Sequence, residues 1–414
     1  MNRLAGTITL LALVTIAGAT EATAPRGQQR GGRGGAANTS NDGPWDVTTE
    51  QMPIHVRVVT KGLDHPWGLA FLPDGTMLVT ERPGRLRVIR NGVLDPKPIE
   101  GVPAVRAVRL GGLLEIVLHP RFAENRFIYL GYSKPGGQDP GRSTAAILRA
   151  RWDGGASLTD VKEIFVADAY RGGEGAANGC CGQSDGDGSY GTRMAFDRNG
   201  FLYVTVGDRN YGENSQNPSS HAGKIVRLRD DGTPAPDNPF VGKTGYKPEI
   251  YTLGHRNPLG LTIHPVTGEM WSTEFGPRGG DELNRIVAGK NYGWIDVTEG
   301  QYYDGMPATR GKNSVPGMED PVLFWVPSIN PGNLMFYTGD KFPAWKGNLL
   351  IATLTRSLLR VTFDAQGKPV AQERMQTGVN QRLRDVRLGP DGLIYLLTDE
   401  TAGSIIRIEP GKTN

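Results

Sequence analysis

GLAFLPDGTMLVTE, Gly68 to Glu81, decides the fold. A short apolar run, a Pro-Asp-Gly turn and a second apolar run read as a tight antiparallel hairpin, because Pro and Gly preset the backbone angles of the turn. The pattern returns as EIVLHPRFAENRFIYLGYS (Glu115 to Ser133), RMAFDRNGFLYVTVGD (Arg193 to Asp208) and GLTIHPVTGEMWSTEFG (Gly260 to Gly276). LMFYTGDKFPAWKGNLLIATL (Leu334 to Leu354) and DVRLGPDGLIYLLTD (Asp385 to Asp399) complete the set. Six hairpins at intervals of roughly 45 to 80 residues suit propeller blades with inserted loops better than a sandwich or two separate domains. The chain is therefore predicted to be all-β, a six-bladed β-propeller. Loops at one end of the channel then converge, so residues distant in sequence can share a pocket.

Composition agrees. The 58 glycines and 29 prolines among 414 residues, with few long apolar helical periods, predict many short strands and little helix. The formal charge of +3 comes from Arg3, Arg26, Arg30 and Arg33 against Glu21, which leaves residues 41 to 414 near neutral. Nothing in the body asks for nucleic acid. Arg3, the apolar run Ile8 to Ile16 and the small residues Ala17-Gly18-Ala19 read as a secretory signal, with Ala22-Thr23-Ala24 a second cleavage candidate. The run is about half the length a membrane span needs. The expected organisation is a signal peptide over 1–24, a Gly/Arg-rich disordered linker over 25–43 and the propeller over 44–414, periplasmic or secreted, with no membrane span in the mature protein. Cys180 and Cys181 are the only cysteines. In an oxidising compartment they could form a strained vicinal disulfide, remain loop thiols, or pair between molecules. Without Cys-x-x-Cys-His there is no covalent c-type haem, so electrons must leave to a separate acceptor.

The landmarks GLDHPWGLAFLPDG, GGLLEIVLHPRF, GHRNPLG (Gly254 to Gly260), GPRGGDELN (Gly276 to Asn284), NYGW and RLRDVRLGPDG (Arg382 to Gly392) are together specific. Through them, from about Val58 to Ile408, the chain resembles the soluble pyrroloquinoline quinone (PQQ) dependent sugar dehydrogenases, in particular the aldose sugar dehydrogenases. The resemblance implies oxidation of an aldose at C1 to a lactone, with PQQ and calcium (Ca2+) as cofactors. The implied partners are a small sugar and an external electron acceptor.

A planar tricarboxylate quinone needs cations for its carboxylates, a Lewis acid at its carbonyls and a base for the substrate hydroxyl. Arg382 and Arg384, alternating on one strand face, match the family's pair on the PQQ carboxylates; Arg256 and Asn257 match the pair beside the quinone carbonyls. Arg256 would stabilise negative charge there, a catalytic role. The carbonyls of Gly276 and Pro277 match the calcium ligands facing PQQ; Asp281, Glu282 and the Tyr292 carbonyl match a separate structural calcium site. Two positions depart from the pattern. Ser189 stands where the family carries its general-base histidine, and Leu110 replaces a PQQ-contacting glutamine. A serine hydroxyl has no useful proton affinity near neutral pH. Gln183, Asp185 and Asp187 lie close to it in sequence, so Asp187 or Asp185 is a candidate base and Gln183 a candidate amide contact. His255, next to Arg256, is a further candidate acceptor; His55, His65, His119, His221 and His264 show no metal spacing. Two other functions stay open: a calcium-dependent, lactonase-like hydrolase, and a non-catalytic sugar- or partner-binding propeller.

Overall fold

The computed structural model describes residues 42–172, 186–303, 305 and 314–412. The signal segment, the linker up to residue 41, Cys180, Cys181, Gln183 and Asp185 lie outside the described residues. Strands dominate; the helical elements among the described residues are single turns such as Phe122–Asn125, Glu213–Gln216 and Pro343–Trp345.

The strands form six antiparallel sheets, which makes the molecule the expected six-bladed propeller. The innermost strands of blades one to six are Pro66–Phe71, Leu113–Leu118, Gly191–Phe196, Pro258–Ile263, Pro331–Phe336 and Leu383–Leu388. Each packs against the inner strands on either side, closing a ring. Every hairpin read from the sequence supplies the inner two strands of one blade. The turn chemistry explains why they form. At Asp74 the side chain accepts the Thr76 amide (2.9 Å), while Gly75 takes φ +84°, which only glycine adopts without strain.

The first and last of the described strands build blade six. Pro53–Leu63 pairs with Gly403–Pro410 in the register Val56 to Ile408, and Trp45–Thr48 adds a fifth strand outside it. Pairing the first strands with the last ties the ring shut and protects an edge that would otherwise be open. Between blades the cores are apolar. Leu78 and Leu86 of blade one meet Ile116, Ile128 and Leu148 of blade two, and Trp271 and Leu283 of blade four meet Leu334, Phe336 and Ile351 of blade five.

One irregularity recurs in all six blades. The pairing of each inner strand with its neighbour shifts just after its first residue, between Pro66 and Leu69, Leu113 and Ile116, Gly191 and Met194, Pro258 and Gly260, Pro331 and Leu334, and Leu383 and Asp385. Bulges re-aim side chains. Here they send successive residues to different levels of the axis. The third residues Glu115, Arg193, Asn333 and Asp385, with Arg387, plug the channel: Arg193 Nη1 donates to Glu115 Oε2 (2.8 Å), Arg387 donates to Glu115 Oε1 (2.8 Å) and Asp385 Oδ2 (2.9 Å), and Asn333 donates to Asp385 Oδ1 (2.7 Å). Arg193 also donates to the Leu259 carbonyl (2.8 Å) and lies 3.8 Å from the centre of the Trp67 ring. Two carboxylates thus match two guanidiniums in a buried layer, the condition under which buried charge is tolerated.

Candidate active site

Above the plug, second residues of the inner strands make the floor of a chamber: Trp67, Leu114, Leu259 and Arg384. Its walls come from loops of several blades: Arg82, Leu110, Ser189, Tyr190, Asn257, Phe275, Leu354 and Arg382. A wider, more polar mouth of about 880 Å3 shares Leu110, Ser189, Asn257 and Phe275 with it and adds Arg109, Asn210, Arg256, Tyr303 and Asn330. Gly112 makes one of these approaches possible, since a Cβ there would stand 2.1 Å from the Arg82 carbonyl oxygen.

One wall is cationic. Arg384 donates through Nε (3.2 Å) and Nη2 to Asp399, Arg82 and Arg382 stand 3.7 and 3.8 Å from the same carboxylate, and His65 Nδ1 lies 2.9 Å from it. Burial alone would raise the Asp399 pKa, but Arg384, His65 and Arg82 hold it well below the usual carboxylate range. A single carboxylate cannot neutralise three guanidiniums, and the wall keeps a positive excess. Buried Nε of Arg82 and Arg382, Nε and Nη2 of Arg256, and Oδ1 of Asn257 have no hydrogen-bond partner among the described residues. A buried polar atom left unpaired costs roughly 1 to 3 kcal/mol, and here several of them gather around one cavity.

The structure brings Arg256, Asn257, Arg382, Arg384, Leu110 and Ser189 to this cavity. The Arg256 backbone amide is fixed by Glu274 Oε2 (2.7 Å), and its Nη1 donates to the carbonyls of Phe275 (3.0 Å) and Gly276 (2.8 Å). Ser189 adopts φ +47° and donates to Asn210 Oδ1 (2.8 Å). Asp187 goes elsewhere. Arg106 grips both its oxygens at 2.8 Å, and although burial opposes its charge, that guanidinium lowers its pKa, which makes it a poor proton acceptor; nor does it line either part of the cavity. His255 is also turned away: it is buried between Glu274 (3.0 Å), Thr252 (2.9 Å) and the stacked Tyr292 ring.

Around the expected calcium ligands the structure reassigns one residue. Asp281 accepts from the amides of Gly276 (3.0 Å), Ile329 (2.8 Å) and Asn330 (2.8 Å) and from Ser328 Oγ (2.5 Å), so its oxygens are committed to stapling two loops. The acidic lining instead comes from Glu282 and Glu274, which with Gly276, Gly280 and Thr298 border a small pocket of about 200 Å3 that also touches Arg256. Asn284 bridges the two carboxylates at 2.9 Å to each. Burial and the nearby Glu274 charge push the Glu282 pKa well up. Tyr292 bonds its hydroxyl to the Arg285 carbonyl (2.7 Å), and Pro277 is buried beside Gly276. Among the described residues no three His, Cys, Asp or Glu side chains form a ready metal cluster.

The family described as Glucose / Sorbosone dehydrogenase matches residues 63–407. The chain belongs to that family. It is a family of sugar-oxidising dehydrogenases, and an oxidoreductase is what the site has to explain. Aldose sugar dehydrogenase YliI of Escherichia coli (strain K12) is 39% identical over 361 residues, covering 86% of this chain and 93% of that protein. The apo-form crystal structure of the soluble aldose sugar dehydrogenase from Escherichia coli superposes with a TM-score of 0.79 at 37% identity, covering 86% of this chain and all of that one. The PQQ-bound aldose sugar dehydrogenase of Streptomyces coelicolor superposes with a TM-score of 0.68 at 27% identity, over 89% of this chain and 99% of that chain.

Arg82, Asp208, Asn210, Glu274 and Asp399 were missed from the sequence. Asp208-Arg-Asn210 follows strand Leu202–Val206 after Gly207, and Asp399 directly follows Ile394–Thr398. A polar residue at the same end of successive second strands was the available signal.

Proposed function

We propose that this chain binds PQQ in the axial chamber and oxidises an aldose at C1 to the lactone, passing electrons to an external acceptor. The observation that carries the reading is the unmatched positive wall facing an aromatic and aliphatic slot. Arg82, Arg382 and Arg384 would take the carboxylates of a flat polyanion, while Trp67, Leu114, Leu259 and Phe275 would cover its faces. Arg256 and Asn257, with buried atoms still to be satisfied, would hold its carbonyl edge. When bound, PQQ would supply the two-electron acceptor that no side chain offers. Calcium fits the Glu282 and Glu274 pocket on donor chemistry, because two buried carboxylates favour a hard cation with oxygen ligands. The Gly276 carbonyl remains a candidate donor there, with Asp281 supporting the loop from behind, whereas Pro277 and Tyr292 do not line that pocket. The mouth, with Arg109, Asn210, Tyr303 and Asn330, would receive the sugar.

Export to the periplasm or medium completes the proposal and rests on the apolar run behind Arg3. Among the described residues no helix is long and apolar enough to cross a membrane. Ser189 and Leu110 favour one second reading, in which the chamber holds its ligand without turnover. Adding PQQ and calcium to purified apo-protein separates the two: a cofactor absorbance band with aldose-dependent dye reduction supports the dehydrogenase, the band alone supports binding, and neither leaves the hydrolase or partner-binding alternatives.

A further inference from the structure

Asp399 divides its two oxygens between different partners. Oδ2 accepts from Arg384 and stands 3.8 Å from Arg382, while Oδ1 stands 3.7 Å from Arg82 and 2.9 Å from His65 Nδ1. The three guanidiniums line the chamber and stay charged at any working pH. His65 does not line it; the residue directly precedes the innermost strand of blade one, Pro66–Phe71. Its backbone takes φ +45°, a conformation rare outside glycine, and two bonds hold it there: the His65 amide donates to the Glu400 carbonyl (2.8 Å), and the Arg82 amide donates to the His65 carbonyl (3.1 Å). Despite its burial, Asp399 stays ionised beside Arg384, His65 and Arg82, and an ionised carboxylate only accepts. The hydrogen of the His65 bond therefore sits on Nδ1. That leaves Nε2, which has no hydrogen bond among the described residues, as the nitrogen that gains or loses a proton, on a side chain 28% exposed to water. We infer that His65 is a proton-controlled cation of the anion-binding wall, whose protonation tightens the chamber's hold on a planar polycarboxylate; the inference rests on the PQQ reading proposed above.

The charge count gives the sign. With Nε2 bare, three guanidiniums stand against one carboxylate; with Nε2 protonated, the wall gains a fourth cation bonded to that carboxylate. Binding of a polyanion therefore strengthens as pH falls, and by reciprocity the bound anion favours the protonated ring. The other charged groups around His65 come from its own loop and from blades one and six. Asp64 accepts from Arg85 Nη2 (3.1 Å), Glu81 pairs with Arg85 and Arg87, and the Glu400 carboxylate accepts the Arg382 amide (3.4 Å). Among all these groups His65 is the only imidazole, the side chain whose ordinary titration falls between about pH 5 and 8. One added charge beside a partly buried anion site changes affinity by roughly 3- to 10-fold.

The test reads binding and protonation, not turnover. PQQ is titrated by absorbance into apo-protein with calcium at about pH 8 and about pH 5.5, on either side of the ordinary imidazole range. Wild-type affinity rises roughly 3- to 10-fold on acidification. His65→Gln keeps a hydrogen-bond donor for Asp399 but cannot become a cation, so its affinity stays near the wild-type value at the higher pH. Glu282 and the ligand titrate in both proteins, and the difference between the two belongs to His65. Ring-nitrogen NMR of wild type follows the proton itself: Nε2 titrates, Nδ1 keeps its hydrogen, and saturating PQQ moves the transition to higher pH. Trimesate, a planar tricarboxylate without redox chemistry, serves as a second probe of the same wall. Equal pH dependence in wild type and His65→Gln, or a His65 transition that PQQ leaves in place, overturns the inference while the PQQ reading stands. Trimesate binding that strengthens with acid only when His65 is present, with no PQQ binding, upholds the inference and overturns the PQQ reading. Binding of neither overturns both. If His65→Gln does not fold, the wild-type NMR transition with and without ligand decides.

Discussion

Two layers over the propeller axis, the plug of third inner-strand residues and the chamber floored by second ones and walled by loops, treat buried charge differently. In the plug, Arg193 and Arg387 meet Glu115 and Asp385, and all four of their side chains find partners. In the chamber directly above, Asp399 is the one carboxylate among the described residues within 4 Å of Arg82, Arg382 and Arg384, and the buried Nε of Arg82 and Arg382 have no partner there. The bulge at the start of each strand makes the contrast possible by aiming successive residues at different levels. The difference teaches that buried charge in this propeller has two uses. Matched, it closes the axis; unmatched, it leaves a positive wall on the chamber.

The two layers should therefore fail differently. The largest effect is expected in the plug, where Glu115→Ala leaves Arg193 and Arg387 short of a carboxylate and should lower unfolding stability by roughly 3 to 5 kcal/mol, the cost of breaking a buried pair. Denaturant unfolding measures it, and a loss below 1 kcal/mol would merge the plug with ordinary surface pairing. In the chamber, Arg382→Ala should weaken PQQ by roughly 1.5 to 3 kcal/mol, as for a hydrogen bond to a charged group, while folding stability stays close to wild type. Arg384→Ala should do both, because it also strips Asp399 of its closest guanidinium.

A smaller effect concerns the acidic pocket. The folded Glu282 carboxyl has its pKa raised well above the ordinary glutamate value of 4.5, so the folded protein binds that proton more tightly than the unfolded chain. Its stabilising contribution is present at low pH and is lost as pH rises from about 4.5 through the folded pKa. Calcium-free protein should thus lose stability over that window, and Glu282→Gln should flatten the curve. Added calcium should raise the neutral-pH melting temperature of wild type and not of the variant, by mass action on the folded state. A melting temperature blind to chelator in both would remove the cation from the account.

Much of this was legible in the sequence because it is local. A Pro-Asp-Gly turn between apolar runs reports its own hairpin, and six of them report the blades; Arg256-Asn257 and Arg382-x-Arg384 are contiguous motifs. What escaped depends on convergence. Val56 finds Ile408 only because the ring closes, and no local pattern announces that pairing. Asp187 read as a candidate base because Ser189 is near in sequence, yet Arg106, 81 residues away, is its actual partner. Asp399 and Arg82 come from different blades and become a site only when loops meet over the axis. Asp281 sat in the right motif, but which of its oxygens remained free was a matter of the Ile329 and Asn330 amides in another loop.

The central claim is that the unmatched cations over the plug are there to hold a planar polycarboxylate quinone. Titrating PQQ absorbance into apo-protein with calcium present, side by side with the Arg82→Ala, Arg382→Ala double variant, tests it most directly. The account predicts a saturable band in wild type with one PQQ per chain, weakened at least tenfold in the variant, since about 1.4 kcal/mol is a factor of ten. Equal affinity in the two proteins, or no band in wild type, would contradict it.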